Sequence, residues 1–219
     1  MSTVEIEQST AERTINQQIH SIDQILQEPH TPVFNTIKQR RSVGQLTDQE
    51  PTRAQIERML EAATYAPSHH VTEPWHFFVI MGAAREELGA LMAASIQPTL
   101  KDLSPEKIQL RLWKERNKPL RAPVIITIAI KEIQDIKGMP VENIEAAAAA
   151  TQNMLIAAEE MGLATLWRTG ESAYDPLIKR WFGLDSNDHI VGFVYVGYPK
   201  VTRQMRTPTP FSEKTTWMS

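Results

Sequence analysis

The sequence predicts a layered domain in which helices cover a small β-sheet. Its 219 residues are enough to bury one substantial hydrophobic core. Apolar segments with strand character are few, and longer segments with helical character separate them, which is typical of helices packed on a sheet. The sequence contains no internal repeat that would favour a solenoid. The predicted strands are 75–81, 122–130, 163–167 and 190–196.

The chain is predicted to begin with an N-terminal extension over 1–32, followed by one domain over 33–219. The extension is polar, but its isoleucines recur near helical spacing, which predicts a helix over 14–27 that ends before Pro29. We expect this helix to dock on the body or on a partner subunit, and disorder is the alternative. Residues 1–18 lack the apolar stretch of a signal peptide.

Two helices are predicted before the first strand. Phe34 and Ile37 begin a short one. Thr52 and Gln55 form a capping-box pattern at the start of the next, and Pro67 ends it.

The first predicted strand and the two helices after it have clear boundaries. Aromatic and β-branched residues over 75–81 predict a buried strand. Helices follow over 83–95 and 105–117, and the second starts with Ser104 as N-cap and Pro105 in its first turn.

The most apolar segments lie in the second half. The run over 122–130 is expected for a strand covered on both faces. The longest predicted helix, 142–161, contains an alanine run that indicates close packing on several sides, and Gly162 suits its C-cap. A further helix is predicted over 175–182, and an extended arm from Lys200 onward.

Composition excludes several classes of function. A net charge of −3 argues against a nucleic-acid partner, and the absence of cysteine excludes disulfides and thiolate metal sites. The longest apolar run is too short for a membrane helix, so no membrane partner and a cytoplasmic location are expected. A Rossmann dinucleotide site is unsupported, because no G-x-G-x-x-G follows a first strand.

Three polar stretches carry the functional interpretation, and the first is Arg40-Arg41-Ser42. Two guanidinium groups and a hydroxyl are suited to one phosphate, because guanidinium groups form bidentate, charge-assisted hydrogen bonds. These residues alone leave a solvated basic turn as the alternative.

The second stretch is the loop over 66–75, which contains Ser68, His69 and His70. Neighbouring histidines on an extended segment point to opposite sides, and no partner stands at ligand spacing, so no metal site is expected. A Ser68–His69 nucleophile pair lacks the G-x-S-x-G elbow of a hydrolase. A loop that contacts a ligand is the favoured interpretation.

The third stretch, Trp167-Arg168-Thr169-Gly170, follows a short predicted strand. In this order and spacing the three stretches resemble the flavin-binding signature of the FMN-dependent NAD(P)H nitroreductase family, in its short bacterial branch. The similarity extends over about residues 34–212 and includes Arg116–Pro123 and Gly197-Tyr198-Pro199. The resemblance implies an α+β, three-layer fold with a central, mainly antiparallel sheet flanked by helices. It also implies a homodimer with its FMN sites at the subunit interface.

The resemblance also implies the roles of the site residues. Arg40, Arg41 and Ser42 would hold the phosphate and ribityl groups of FMN, and Tyr65 and His69 would reach across from the partner subunit. NADH or NADPH would be the co-substrate and a small planar nitroaromatic or quinone the acceptor, in a ping-pong reaction that needs no side-chain base. The flavin ring would be bordered and tuned by Trp167, Arg168 and Thr169.

The chain departs from the family pattern at three positions. Val71 and Glu73 stand where many members have Asn and Gln, and Gly44 stands where many have a basic residue. Arg168 or Arg41 is expected to replace that missing charge. Two alternatives stay open: a related flavin enzyme, such as a reductive dehalogenase or a flavin-degrading oxygenase with a lid over 97–118, and a non-catalytic binding protein.

Overall fold

A computed structural model of the protein describes residues 31–131, 139–202 and 204–219. The helix predicted over 14–27 lies outside these residues. Within them, no helix combines the length and the apolar character that are needed to cross a membrane.

Helix α1 spans Pro32–Gln39, where the sequence predicts a short helix. Contacts divide the chain between Gln39 and Arg40, so α1 is described by itself. The division into an extension over 1–32 and a domain over 33–219 stays a prediction.

The body consists of helices and strands that alternate along the chain as predicted. Its helices and strands are α2 (Arg53–Thr64), β1 (Trp75–Met81), α3 (Ala83–Ile96), α4 (Pro105–Arg116), β2 (Val124–Ile130), α5 (Pro140–Glu160), β3 (Ala164–Arg168), α6 (Pro176–Trp181) and β4 (His189–Gly197).

The four strands form one sheet in the order β1-β2-β4-β3, and every neighbouring pair is antiparallel. Alternate residues of β2 face opposite sides: Ile126 packs in the core beneath α2 and α5, and Ile125 in the core beneath α3 and α6. The sheet is therefore a middle layer between two helical layers. This architecture confirms the predicted α+β, three-layer fold.

The helix caps explain why the predicted boundaries are close to the observed ones. Thr52 and Gln55 form the predicted capping box, in which each side chain bonds to the other residue's backbone N–H. At the end of α5, Gly162 adopts a φ of +73°, and the N–H of Leu163 donates to the carbonyl of Ala158 at 2.9 Å. This arrangement ends the helix and turns the chain into β3.

One of two predictions about burial is wrong. Strand β1 was expected to be buried, but Ile80 is its one buried residue, because β1 is an edge strand whose faces are only partly covered. The alanine run of α5 was expected to pack on several sides: Ala146, Ala147 and Ala150 are buried, and Ala148 and Ala149 are half-buried. Within one chain, α5 packs against α2 and all four strands of the sheet.

The segment 97–118, which the dehalogenase and oxygenase alternatives would use as a lid, is packed on the body. It forms a 3₁₀ turn over Gln97–Leu100 and then α4, which runs against α3. The two helices approach closely at Gly89, where an added Cβ would meet the carbonyl oxygen of Arg116.

The C-terminal arm is irregular apart from a 3₁₀ turn over Phe211–Lys214. Its large apolar side chains Phe211 and Trp217 are exposed.

Candidate active site

The segment that contains Arg40-Arg41-Ser42 lies along the free edge of β3. The N–H of Val43 donates to the carbonyl of Thr165 at 2.9 Å, and Ser42 forms a parallel bridge with the same residue. Further along, Leu46 forms an antiparallel bridge with Pro199. These long-range backbone contacts fix the first predicted stretch beside the strand that carries the third.

Three arginines influence one another at or near this edge: Arg40, Arg41 and Arg206. Burial lowers the pKa of Arg40, the neighbouring cations Arg41 and Arg206 lower it further, and Glu159 at the end of α5 opposes them. Arg41 donates from Nε to the carbonyl of Gln204 at 3.1 Å, which brings the C-terminal arm to the cluster. Cations outnumber the carboxylate among these groups, so the cluster favours a bound anion.

Arg206 is the site residue that sequence reasoning missed. The arm around it has no periodic pattern, and the one available signal was a basic residue in a segment predicted to be extended. The arm contacts Arg41 at Gln204, and the charge of Arg206 acts on Arg40; Arg40 and Arg41 were predicted together with Ser42.

Tyr65 and His69 belong to a different part of the molecule. Tyr65 is the exposed C-cap residue of α2. His69 lies on a 3₁₀ turn, and its Nε2 is 3.7 Å from Oε1 of Glu142 near the start of α5.

The two neighbouring histidines are not directed to opposite sides as the sequence suggested. The segment is a 3₁₀ turn rather than an extended strand, and it places the rings of His69 and His70 edge to face at 4.3 Å. The described residues contain no group of three or more His, Asp or Glu placed to hold a metal ion.

The length of α5 separates the two parts of the predicted site. His69 contacts Glu142 in the first turn of α5, and the charge of Glu159, in the last turn of α5, acts on Arg40. At about 1.5 Å of rise per residue, the seventeen residue steps from Glu142 to Glu159 span roughly 25 Å. Arg40 and His69 of one chain therefore lie far apart.

The loop after α2 is conformationally strained. His70, Val71 and Glu73 have positive φ angles of 52°, 55° and 43°. This region is rarely adopted by residues other than glycine and asparagine, and least of all by a β-branched residue such as Val71. Strain of this kind often marks a ligand-contacting segment.

We expect Val71→Asn to raise the free energy of unfolding by about 1 kcal/mol, because Asn tolerates the left-handed conformation better than Val. Val71 is 80% exposed, so the change removes little packing. Thermal unfolding measures the effect, and Val201→Asn is a matched control at an exposed valine with an ordinary φ. An equal or larger gain for the control would rule out relief of strain.

The side chains of Trp167 and Arg168 lie on opposite faces of the sheet. The ring of Trp167 packs in the core beneath α5, and its buried Nε1 has no hydrogen-bond partner among the described residues. Arg168 lies on the other face, with its guanidinium carbon 6.0 Å from the ring centre of Tyr195. Arg168 and Thr169 line a cavity of about 230 Å³ on that face.

The backbone of Trp167 faces the free edge of the sheet. The carbonyl of Thr165 points to that edge, where it accepts from Val43. Because backbone groups two residues apart on a strand point the same way, the N–H of Trp167 is directed to the edge at which Ser42 lies.

The sequence profile of the nitroreductase family matches residues 37–198. The chain belongs to the nitroreductase family. It is 36% identical over 176 residues to the Escherichia coli K12 protein YdjA, which is provisionally named an NAD(P)H nitroreductase. That match covers 78% of this chain and 93% of YdjA.

Solved structures of nitroreductase-like proteins have the same fold. A nitroreductase-like family protein from Bacillus cereus is 28% identical, with a TM-score of 0.74 over 86% of this chain and 97% of its own. A nitroreductase from Desulfovibrio desulfuricans, provisionally so named and solved in complex with FMN, is 24% identical, with a TM-score of 0.67 over 87% and 98% of the two chains.

Gly44, which stands where many nitroreductases have a basic residue, lies against Leu166 of β3. A Cβ at Gly44 would lie 3.2 Å from Cδ2 of Leu166, which shares a face of β3 with Arg168. Arg41 is engaged at Gln204. Of the two cations predicted to replace the missing charge, Arg168 is therefore the one on the side of Gly44.

Proposed function

We propose that this chain is an FMN-dependent oxidoreductase that uses NAD(P)H to reduce nitroaromatic or quinone-like acceptors in a ping-pong reaction. The observation that carries the proposal is the placement of Arg40, Arg41 and Ser42 along the edge of β3, where the C-terminal arm also contacts Arg41 at Gln204. Membership of the nitroreductase family and the FMN-bound relative support it.

The cationic cluster suits the phosphate of FMN. Burial and, to a smaller extent, the like charges of Arg41 and Arg206 lower the pKa of Arg40, so a dianion there would relieve repulsion and gain charge-assisted hydrogen bonds. Ser42 directly follows Arg41 and is exposed, and its bridge to Thr165 fixes it at the edge of β3, where it would add a hydroxyl donor. The residues present therefore fit a phosphate monoester.

The chemistry supplied by bound FMN is acceptance of a hydride from NAD(P)H and its transfer to the acceptor. The protein would bind FMN, orient its ring and tune its reactivity. The edge-directed N–H of Trp167 and the backbone around Thr169 would provide fixed dipoles for charge that develops on the ring. Arg168 would add a positive charge from the face of the sheet opposite to the Trp167 ring.

The proposed site is shared between two subunits. His69 of one chain lies roughly 25 Å along α5 from its own arginine cluster, and Tyr65 is exposed at the end of α2, so both would serve the flavin of a second copy. The exposed Phe211 and Trp217 of the C-terminal arm provide apolar surface that a homodimer would cover.

The first test is an absorbance spectrum of the purified protein before and after NADH or NADPH is added without oxygen. We expect a yellow protein whose flavin band bleaches with at least one donor, which would also identify that donor. A colourless protein that takes up no added FMN would contradict the proposal and favour a non-catalytic binding protein.

A further inference from the structure

The cavity of about 230 Å³ beside Arg168 is separate from the arginine cluster. It is lined by residues of α3, α4, β4 and the segment that follows β3, and Met92 and Phe193 give it an apolar wall. Its polar wall carries three cationic side chains, two carboxylates and a phenol: Arg111, Lys118, Arg168, Glu115, Glu171 and Tyr195.

Glu115 is the most unusual of these groups, because its side chain is 1% exposed. Its Oε2 pairs with Nζ of Lys118. Its Oε1 lies 3.6 Å from the nearest guanidinium nitrogen of Arg111 and has no hydrogen-bond partner among the described residues. A buried carboxylate oxygen without a donor is costly, so a donor from a bound molecule would be stabilising there.

Tyr195 provides a hydrogen-bond donor on the same wall. Burial raises its pKa to about 12, while Arg168 and Arg121 lower it and Glu115 raises it. The phenol therefore keeps its proton at neutral pH. Arg168 and Glu115 line the same cavity as Tyr195, and the guanidinium carbon of Arg168 is 6.0 Å from the Tyr195 ring centre.

We propose that this cavity binds a small aromatic carboxylate that also carries an N–H or O–H donor. Arg168 and Lys118 would bind the carboxylate, Oε1 of Glu115 would accept from the donor, and Met92 and Phe193 would contact the ring. The second part of the inference rests on the proposed function: Arg168 and Thr169 belong both to this cavity and to the segment proposed beside the flavin. Compounds of this class are then preferred electron acceptors.

Three related probes separate these contributions. They are 4-amino-3-nitrobenzoate, its methyl ester, which lacks the charge, and 3-nitrobenzoate, which lacks the amine. Calorimetry on the protein as purified gives each Kd, and anaerobic assays with the active nicotinamide donor give each KM. We expect 4-amino-3-nitrobenzoate to bind at least ~10-fold more tightly than its methyl ester, and several-fold more tightly than 3-nitrobenzoate.

Variants assign the effect to the cavity. Arg168 is an exposed residue of the cavity wall, so Arg168→Gln should fold normally. We expect it to raise the Kd of the two carboxylates ~10-fold and to leave the Kd of the ester unchanged. Lys114→Gln removes one positive charge from an exposed position on α4 that does not line the cavity, and should behave as wild type. Glu115→Gln should abolish the preference for the amine.

Each outcome is decisive. Equal affinity for the acid and the ester, or an unchanged acid affinity in Arg168→Gln, overturns the binding site even if the protein is an active flavin reductase. A protein without flavin would refute the proposed function and with it the acceptor role. The same Kd ratios would still decide whether the cavity binds carboxylates.

Discussion

Replacing Arg40 with alanine should give a folded protein that purifies with little FMN. We expect its affinity for added FMN to fall on the order of 10- to 100-fold, the cost of losing charge-assisted hydrogen bonds to a phosphate. Arg40 is half-buried, and burial lowers its pKa, with smaller contributions from the cations Arg41 and Arg206. Its removal therefore takes a partly buried cation from the proposed phosphate site.

The measurement is the flavin content after gel filtration, followed by a fluorescence titration with FMN. Arg180→Ala is the control, because Arg180 is an exposed arginine on α6, outside the proposed site. Arg206→Ala should show a smaller loss, since the C-terminal arm that carries Arg206 is exposed. Full flavin retention by Arg40→Ala, with unchanged thermal unfolding, would show that the phosphate is bound elsewhere.

The sequence predicted most helix boundaries well because the determinants of helix ends are local. The capping box of Thr52 and Gln55, and Gly162 after α5, each act within a few residues. The burial of β1 depends on something else. Its composition indicates a strand, but its position at the edge of the sheet depends on pairings made elsewhere along the chain.

The candidate site shows the same division. Arg40, Arg41 and Ser42 were found from their chemistry and from a resemblance, whereas their place beside Thr165 depends on a contact across more than a hundred residues. Arg206 reaches the cluster through an arm without a pattern. The opposite orientations of Trp167 and Arg168 follow from strand alternation and could have been predicted, had the predicted strand over 163–167 been extended by one residue to Arg168.

Replacing Gly192 with alanine should have the largest effect on stability. Gly192 is buried in β4, at a register shift where β4 pairs with Ile128 and Ala129 of β2. A Cβ there would meet Nε1 of Trp167 and would lie 2.7 Å from the carbonyl oxygen of Arg168. Glycine in a strand often marks such a bulge or close approach of another backbone.

We expect Gly192→Ala to lower the free energy of unfolding by at least ~1–3 kcal/mol, the usual cost of overpacking. Because the added methyl group pushes on Trp167 and on the backbone of Arg168, FMN affinity should fall as well. Chemical denaturation and the FMN titration together measure both effects.

Gly197→Ala in the same strand tests whether the effect is specific. Gly197 is also buried, but its Cβ would meet the side chain of Pro123 at 3.0 Å rather than a backbone oxygen, so a smaller cost is expected. A side chain can shift, whereas the Arg168 carbonyl is held in a strand that pairs with β4. If Gly192→Ala were as stable as Gly197→Ala and bound FMN as wild type does, Trp167 could not pack against Gly192 as described. The edge-directed N–H of Trp167 would then lose its fixed place beside the flavin.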